Sequence, residues 1–450
     1  MTNELKPYEY YRETTLQWLD KVPSHWDIIR NKNVLDLKKE VVGNQHAKYT
    51  LLSLTLNGII ARDMENAKGK FPSDFSTYQT VDINDLVFCL FDIDETPRTV
   101  GLSSMEGMIT GAYTVFSVKN ANPLYLYYYN LFLDQNKLLK PLYTGLRKVI
   151  STDTFLRTKI PLPPREEQDK IVRYLDLQLA KINKFIKAKR KLITVLKEKK
   201  QAIIHGAVTK GLNSSVKMKP SDIVWVGEIP EHWEITRNKN LLELRNEIVG
   251  EEHKKYTLLS LTTNGIIPRD MENAKGKFPS DFSSYQKVQK DDLVFCLFDI
   301  DETPRTVGLS SLDGMITGAY TVFKATNTTK EYLYYYYLSL DQKKALKPLY
   351  TGLRKVIPTD AFLRAKVPLP PKEEQREIVS YIENSISTID NTIYITQREI
   401  ELIAEYRTSL ISEVVTGKVD VRNIENDYVI EEDILDTNEE MLEVEKVLEG

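Results

Sequence analysis

Two stretches of the chain place apolar residues at the spacing of a helical seam. Successive apolar positions are three, four or seven residues apart, a heptad-like pattern typical of a helix that buries one stripe. These positions are Ile171, Leu175, Leu179, Ile182, Ile186, Ile193, Leu196 and Ile203, and then Ile378, Ile382, Ile386, Ile389, Ile393, Ile400, Ile403 and Leu410. Each stretch follows a proline pair and an acidic turn, IPLPPREEQ or VPLPPKEEQ, which disfavour helix behind them and favour it ahead. We predict two long helices that bury their seams against each other as a coiled coil.

The charges of the two predicted helices favour this pairing. Residues 165–210 carry thirteen basic and five acidic side chains, whereas residues 372–418 carry five and nine. Opposite net charges favour unlike partners. An alternative is that each seam packs only on its own globular module. At 1.5 Å per residue, about forty helical residues span roughly 60 Å, so the helices could separate the modules as a spacer.

The seams belong to a duplicated chain. Residues Trp18–Lys210 recur as Trp225–Gly417 at a fixed offset of 207, without a gap. Between Tyr49 and Phe116, 59 of 68 positions are identical in the second copy. A shared fold alone tolerates wide surface drift, so this identity indicates two copies of one working surface.

Each repeat begins with a tryptophan motif, WLDKVPSHW or WVGEIPEHW, which we interpret as a packed turn. An α+β module follows, because β-like stretches alternate with Gly and Asp turns before a helical pattern. In the first repeat these elements are predicted at Tyr49–Leu54, Asp85–Phe91 and Ala112–Val118 for strands and Leu124–Lys140 for the helix. The predicted domains are 1–164 (first module), 165–211 (first helix), 212–371 (linker and second module), 372–418 (second helix) and 419–450 (acidic tail).

Composition refines this picture. Of the 450 residues, 42% are apolar, which suffices for real cores, and no run of eighteen apolar residues suggests a membrane span. The net charge of −3 conceals an uneven distribution, because residues 425–450 contribute −10 and the rest +7. The two cysteines occupy equivalent positions of the two repeats rather than pairing within one. We therefore expect a cytoplasmic protein whose acidic tail is solvated or docks a partner.

The order of these elements carries a resemblance. A tryptophan motif, an α+β module, PLPPREEQ and a long helix ending in LKEKKQAIIHGAVTKG, followed by the whole again, resembles the specificity subunit of a type I restriction-modification system. That resemblance covers nearly the whole chain. It implies two target recognition domains separated by antiparallel helices with pseudo-twofold symmetry. It also implies a non-catalytic reader of double-stranded DNA held by two methyltransferase subunits and by motor-nuclease subunits, with S-adenosylmethionine, ATP and magnesium on those partners and no cofactor here.

A search of the residues for catalysis agrees with a non-catalytic chain. No [DNS]-P-P-[YF] motif, phosphate-binding glycine loop or metal spacing of histidines occurs. One acidic cluster, Asp92, Asp94 and Glu95 in FDIDETPRT, could form a magnesium nuclease site, but no acid-x-Lys partner follows it. Three alternatives to a specificity subunit of a restriction complex remain open. They are a free-standing nuclease at this cluster, a coiled-coil scaffold that binds no DNA, and a reader for a methylation-only or other phage-defence complex.

Direct base readout is a better functional interpretation of the same segment, and a purely structural turn is an equally good interpretation of DETPRT. Carboxylates can accept from cytosine or adenine amino groups, arginine can bind guanine with two hydrogen bonds, and threonine can do either. Cations beside glycine and proline turns are candidate phosphate contacts, and YTGLRK is the strongest such segment. The candidate DNA-binding residues are Arg62, Lys68, Lys70, Asp94, Glu95, Arg98, Thr99, Tyr143, Thr144, Arg147 and Lys148, with Arg269, Lys275, Lys277, Asp301, Glu302, Arg305, Thr306, Tyr350, Thr351, Arg354 and Lys355 in the second repeat.

The repeat predicts the form of the target. Equal modules related by a twofold axis read equal half-sites on opposite strands, so we expect an interrupted palindrome. Nine differences between Tyr49–Phe116 and its second copy qualify this expectation, and the pairs Leu56/Thr263 and Ala61/Pro268 could alter one position of a half-site. The helix length allows no more than roughly 18 base pairs between module centres.

Overall fold

The computed structural model describes residues 6–62, 74–143, 148–269, 281–351 and 355–424. Within those ranges the chain divides into two compact units, one from residues 1–191 and 396–450 and the other from residues 192–395. Each unit combines one globular module with part of each long helix. The boundaries between the compact units therefore lie within the two long helices, at residues 191/192 and 395/396.

The first module is built from short strands and two helices. Its strands are β1 (Tyr11–Leu16), β2 (Leu19–Pro23), β3 (Asp27–Arg30), β4 (Leu35–Lys38), β5 (Leu52–Thr55), β6 (Gly58–Ala61), β7 (Gln79–Val81), β8 (Leu86–Phe88), β9 (Val100–Leu102), β10 (Gly107–Ile109), β11 (Thr114–Val118) and β12 (Lys159–Leu162). Its helices are α1 (Pro123–Gln135) and α2 (Thr152–Arg157), and the long helix α3 (Arg165–Lys210) follows. Strands β4, β11, β8 and β9 form an antiparallel sheet in that order, and β1–β2, β3–β12, β5–β6 and β7–β10 form two-stranded ribbons.

The second module repeats this topology. Its strands are β13 (Met218–Pro220), β14 (Glu228–Pro230), β15 (Glu234–Arg237), β16 (Leu242–Leu244), β17 (Leu259–Thr262), β18 (Gly265–Pro268), β19 (Gln286–Val288), β20 (Leu293–Phe295), β21 (Val307–Leu309), β22 (Gly314–Ile316), β23 (Thr321–Ala325) and β24 (Lys366–Leu369). Its helices are α4 (Lys330–Gln342) and α5 (Thr359–Arg364), and the second long helix is α6 (Lys372–Val415). The four-stranded sheet has the order β16, β23, β20, β21. The predicted α+β class is confirmed for both modules.

Aromatic packing fixes the sheet of each module against its second short helix. In the first module the rings of Phe88 and Phe155 lie 4.8 Å apart, and Phe116 lies 5.6 Å from Phe155. All three side chains are fully buried. Burial of large aromatic groups supplies much of the apolar area that stabilises a small module.

The tryptophan motif and the acidic turn lock together. Trp26 is fully buried, and its indole N–H donates to the Glu167 carboxylate at 2.8 Å. The Gln168 side chain donates to the Pro163 carbonyl at 2.8 Å and accepts from the Asn122 N–H at the same distance. Equivalent contacts of Trp233 and Gln375 recur in the second unit. The interpretation of the motif as a packed structural element is confirmed.

The predicted helix Leu124–Lys140 is wrong at its C-terminal end. Helix α1 ends at Gln135, and Lys137 adopts a left-handed conformation with φ of 50°. The Lys137 N–H bonds back to the Asp134 carbonyl, and a short 3-10 turn covers Lys140–Leu142. A single left-handed residue ends a helix without any change in hydrophobic pattern, so periodicity alone did not locate the end.

The two long helices begin where the proline pairs predicted, at Arg165 and Lys372. In the first unit the Lys189 amino group lies 2.7 Å from the Glu399 carboxylate, which joins α3 to α6. In the second unit Lys200 lies 2.7 Å from Asp390. As the residue number rises along α3 it falls along α6, so the helices pair antiparallel. The alternative in which each seam packs only on its own module is wrong.

Candidate functional site

The acidic loop, residues 91–99 in the first module and 298–306 in the second, follows the central strand β8 or β20. Main-chain contacts tie it to the segment before the short helix α2 or α5. Phe91 forms a β-bridge with Val149, and the Ile150 N–H donates to the Leu90 carbonyl at 2.7 Å. The Asp92 N–H donates to the Lys148 carbonyl at 3.1 Å. Residues 90–92 and residues 148–150, which are far apart in sequence, thus lie side by side.

Both sides of this junction have unusual backbone geometry. Asp92 and Lys148 have φ of 45° and 46°, and the equivalent Asp299 and Lys355 have 44° and 46°. A non-glycine residue in this region costs on the order of 1–3 kcal/mol and persists only where surrounding contacts fix it. Such conformations concentrate at functional sites, and here the same two positions carry them in both modules.

Four side chains of the first module form what we call the loop network: Asp94, Glu95, Tyr143 and Lys148. The Tyr143 hydroxyl donates to one Asp94 oxygen at 2.7 Å and accepts from the Asp94 N–H at 3.0 Å. The Lys148 amino group donates to the other Asp94 oxygen at 3.1 Å and to Glu95 at 2.7 Å. Lysine and tyrosine together hold the acidic loop in one conformation.

The second module builds the same network from Asp301, Glu302, Tyr350 and Lys355. Tyr350 donates to Asp301 at 2.9 Å, and Lys355 donates to Asp301 at 3.1 Å and to Glu302 at 3.0 Å. The sequence proposed these eight residues separately as DNA contacts, and the structure brings each set of four together.

The network sets the charge of its members. The hydrogen bonds from Tyr143 and Lys148 lower the pKa of Asp94 to about 2. Lys355 and Tyr350 likewise lower the pKa of Asp301, and the hydrogen bonds from Glu302 and Asp301 raise the pKa of Lys355. A carboxylate with a lowered folded-state pKa contributes stability above its ordinary pKa, and that contribution is lost as the pH falls toward the lowered value. Near neutral pH Asp94 and Asp301 are therefore carboxylates, each bound to an ammonium group and a phenol.

Two residues that sequence reasoning missed, one in the last turn of helix α1 and one just after it, support the acidic loop. Asp134 is buried and accepts from the Thr99 N–H at 3.0 Å. Lys137 donates to the Thr96 carbonyl at 2.8 Å and to Asp134 at 2.9 Å. Asp341 and Lys344 make the same contacts in the second module. The Asp-x-x-Lys spacing in both repeats was the available signal.

The remaining predicted residues lie in different places. Thr99 and Thr306 are buried at the approach to β9 and β21, so the prediction that their side chains face DNA is corrected. Arg62 and Arg269 follow the β5–β6 and β17–β18 hairpins, where their N–H groups donate to the Leu51 and Leu258 carbonyls at 2.8 Å. The Thr351 N–H donates to the Val356 carbonyl. The candidates outside the described residues are Lys68, Lys70, Thr144, Arg147, Lys275, Lys277 and Arg354.

Among the described residues no three His, Cys, Asp or Glu side chains form a group that could hold a metal ion. The oxygens of Asp94 bind Tyr143 and Lys148 instead. No helix in the described part of the chain is long and apolar enough to cross a membrane.

The loop network can contact base edges. The Glu95 side chain is 70% exposed, and its partner Lys148 is 42% exposed. An exposed carboxylate accepts hydrogen bonds from cytosine or adenine amino groups, and an ammonium group donates to guanine. Lys148 already binds two carboxylates, so it is less suited to a phosphate contact than the sequence suggested.

Comparison with known proteins places this geometry in context. The family model of the type I restriction modification DNA specificity domain matches residues 105–195 and 315–404. The chain is 26% identical over 451 residues to the type I restriction enzyme MjaVIII specificity subunit of Methanocaldococcus jannaschii, covering 92% of this chain and 98% of that protein. It is 23% identical to the putative MjaX specificity subunit of the same organism, covering 92% and 99%.

A solved structure has a similar fold. One chain of a type I R-M system, determined to explain complex assembly and conformational transition, matches with a TM-score of 0.62 at 14% identity. The match covers 88% of this chain and 99% of that chain.

Proposed function

Because residues 105–195 and 315–404 match the family model of the type I restriction modification DNA specificity domain, we propose that the chain is a member of that family and selects an interrupted palindromic DNA site for partner subunits. In this proposal the chain performs no chemistry. Methyltransferase subunits modify the selected site, and motor-nuclease subunits cleave DNA that lacks the modification.

The observation that carries the proposal is the duplication of the loop network. Asp94, Glu95, Tyr143 and Lys148 recur as equivalent residues with the same partners and with distances that agree within 0.3 Å. Identical donors and acceptors select identical base edges, so equal modules favour equal half-sites on opposite strands. The antiparallel pairing of α3 and α6 supports an inverted rather than a direct repeat.

We further propose two methyltransferase subunits, because a duplicated chain offers each attachment surface twice. S-adenosylmethionine would then be bound by those subunits, and ATP and magnesium would serve the methyltransferase and motor-nuclease partners. Such a complex acts on chromosomal and invading DNA in the cytoplasm. A methylation-only complex would use this chain in the same way.

The test is selection of DNA by the full chain together with its methyltransferase subunit. A randomised duplex library would be bound in moderate salt, recovered and sequenced. We expect enrichment of two short inverted segments separated by an unspecified spacer, with affinity that falls as salt is raised. Retention without sequence preference, or no retention, would favour the scaffold alternative, and magnesium-dependent cleavage by the chain alone would favour the nuclease.

A further inference from the structure

The β5–β6 hairpin carries one of the nine differences between Tyr49–Phe116 and its second copy at its tip, Leu56 in the first module and Thr263 in the second. The hairpin packs closely on strand β9, because a Cβ atom added at Gly101 would lie 2.7 Å from the Leu54 side chain. Gly308 has the same relation to Leu261 in the second module. Close approach at glycine brings each hairpin tip beside the end of the acidic loop.

An arginine of the acidic loop contacts this tip. The Arg98 guanidinium donates to the Leu56 carbonyl at 3.3 Å, and the Arg305 guanidinium donates to the Thr263 carbonyl. The acceptor belongs to the main chain, so the contact survives the change of side chain. The arginine is therefore held in the same place in both modules, four residues after the network carboxylate Asp94 or Asp301.

What differs is the exposure of the arginine. Arg98 is only 8% exposed, and its contact with Leu56 is partly buried. Arg305 is partly exposed, its contact with Thr263 is exposed, and it lines an open cleft of about 330 Å³. Leucine is larger and apolar, whereas threonine is short and polar, and we attribute the lower exposure of Arg98 to the larger side chain at position 56.

Resting on the proposed function, we infer that residue 56 or 263 determines specificity at one base pair of each half-site. In the second module the partly exposed Arg305 guanidinium can bind guanine through two hydrogen bonds. In the first module Leu56 covers the arginine and presents an apolar surface suited to the thymine methyl group. The two half-sites are then inverted repeats that differ at a single position.

The other differences fit this assignment less well. Positions 82 and 289 are each matched to a cation, since Asp82 bonds Lys38 and Gln289 bonds Arg245. The pair Ala61 and Pro268 lies at the far end of its hairpin strand, opposite Leu52 or Leu259.

The test repeats the library selection with Leu56→Thr and Thr263→Leu variants of the full chain in its methyltransferase complex. The wild type should select guanine at one position in one half-site only. Leu56→Thr should make both halves guanine-selective there, and Thr263→Leu should abolish that preference, each with a change on the order of tenfold in base frequency. Ala61→Pro, which copies the second module elsewhere on the hairpin, should leave the wild-type sequence unchanged.

Identical half-sites in the wild type would overturn the inference while leaving the proposed function intact. Exchange variants that select the wild-type sequence would also overturn it. If the wild-type complex enriched no sequence at all, the proposed function would fail, and this inference with it.

Discussion

The loop networks and the helix seam have diverged to different degrees. The four residues of each network and their hydrogen bonds are the same in both modules. In the seam, Asn183 of the first unit is 2% exposed, and its amide has no hydrogen-bond partner among the residues that the structure describes. Its repeat equivalent in the second unit, Asp390, is half exposed and binds Lys200. The two repeats have stayed identical in the loop networks, where both modules need the same surface. They have diverged in the seam, where α3 and α6 need different side chains to pair with each other.

The seam chemistry distinguishes the two helices. Each observed pair, Lys189 with Glu399 and Lys200 with Asp390, joins the basic helix α3 to the acidic helix α6. Pairing α3 with a second copy of itself in the same register would place Lys200 opposite Asn183 and lose both ion pairs. Charge and polar positions of this kind select partners in coiled coils. The divergence therefore favours pairing within one chain.

The largest effect is expected in the seam core. Ile186→Ala removes a fully buried side chain and should lower the free energy of unfolding by about 2–5 kcal/mol because it leaves a cavity. Urea denaturation of the full chain measures the loss. Phe185→Ala, at a neighbouring position that is 42% exposed, is the control and should change little. Equal losses for the two variants would refute the assignment of the buried face.

In the loop network we expect the reverse, a loss of recognition that exceeds the loss of stability. Asp94→Asn combined with Asp301→Asn removes one carboxylate from each network and should weaken binding to the selected DNA by about 1–3 kcal/mol per half-site. Fluorescence anisotropy with the selected duplex and with a scrambled duplex measures the effect.

The matched control for that variant is Asp153→Asn with Asp360→Asn, at exposed positions of α2 and α5. It should bind DNA as the wild type does. Equal weakening by both double variants would indicate a general electrostatic effect and not a reading contact.

Replacing the buried polar residue Asn183 of the seam by leucine should stabilise the first unit. Asn183→Leu removes a buried amide without a hydrogen-bond partner, and such groups cost about 1–3 kcal/mol. Urea denaturation should show a gain in that range, while Gln397→Leu on an exposed face of α6 should show almost none. A destabilised Asn183→Leu variant would mean that the amide has a bonding role.

The smallest effect is expected for the exposed seam pair. A double-mutant cycle on Lys200→Ala and Asp390→Ala should give a coupling of about 0.2–1 kcal/mol, because both side chains are partly exposed. Salt at about 1 M should remove most of this coupling free energy. A coupling that is larger and insensitive to salt would contradict a solvent-screened pair.

The sequence predicted the long helices better than the site. Heptad spacing and the proline pairs are local signals, and they located the starts at Arg165 and Lys372. The loop network joins Asp94 to Tyr143 and Lys148, which lie 49 and 54 positions later in the sequence. These contacts depend on left-handed backbone at Asp92 and Lys148, which no local sequence pattern indicates. The sequence identified Asp94, Glu95 and Lys148 as candidate contacts, and only the fold shows that Lys148 bonds both carboxylates. The hydrogen-bonding chemistry of Thr99 and Thr306 suggested DNA contacts, but chemistry alone does not indicate that both side chains are buried.

The most direct test of the central claim is a map of modified bases in cells that make this chain with the methyltransferase subunit of its system. Two modules with the same loop network should direct modification to both strands of a bipartite site whose halves are inverted repeats, identical or differing at the single position assigned to residues 56 and 263. Modification at a site with two unrelated halves would contradict the claim that the repeated network governs recognition.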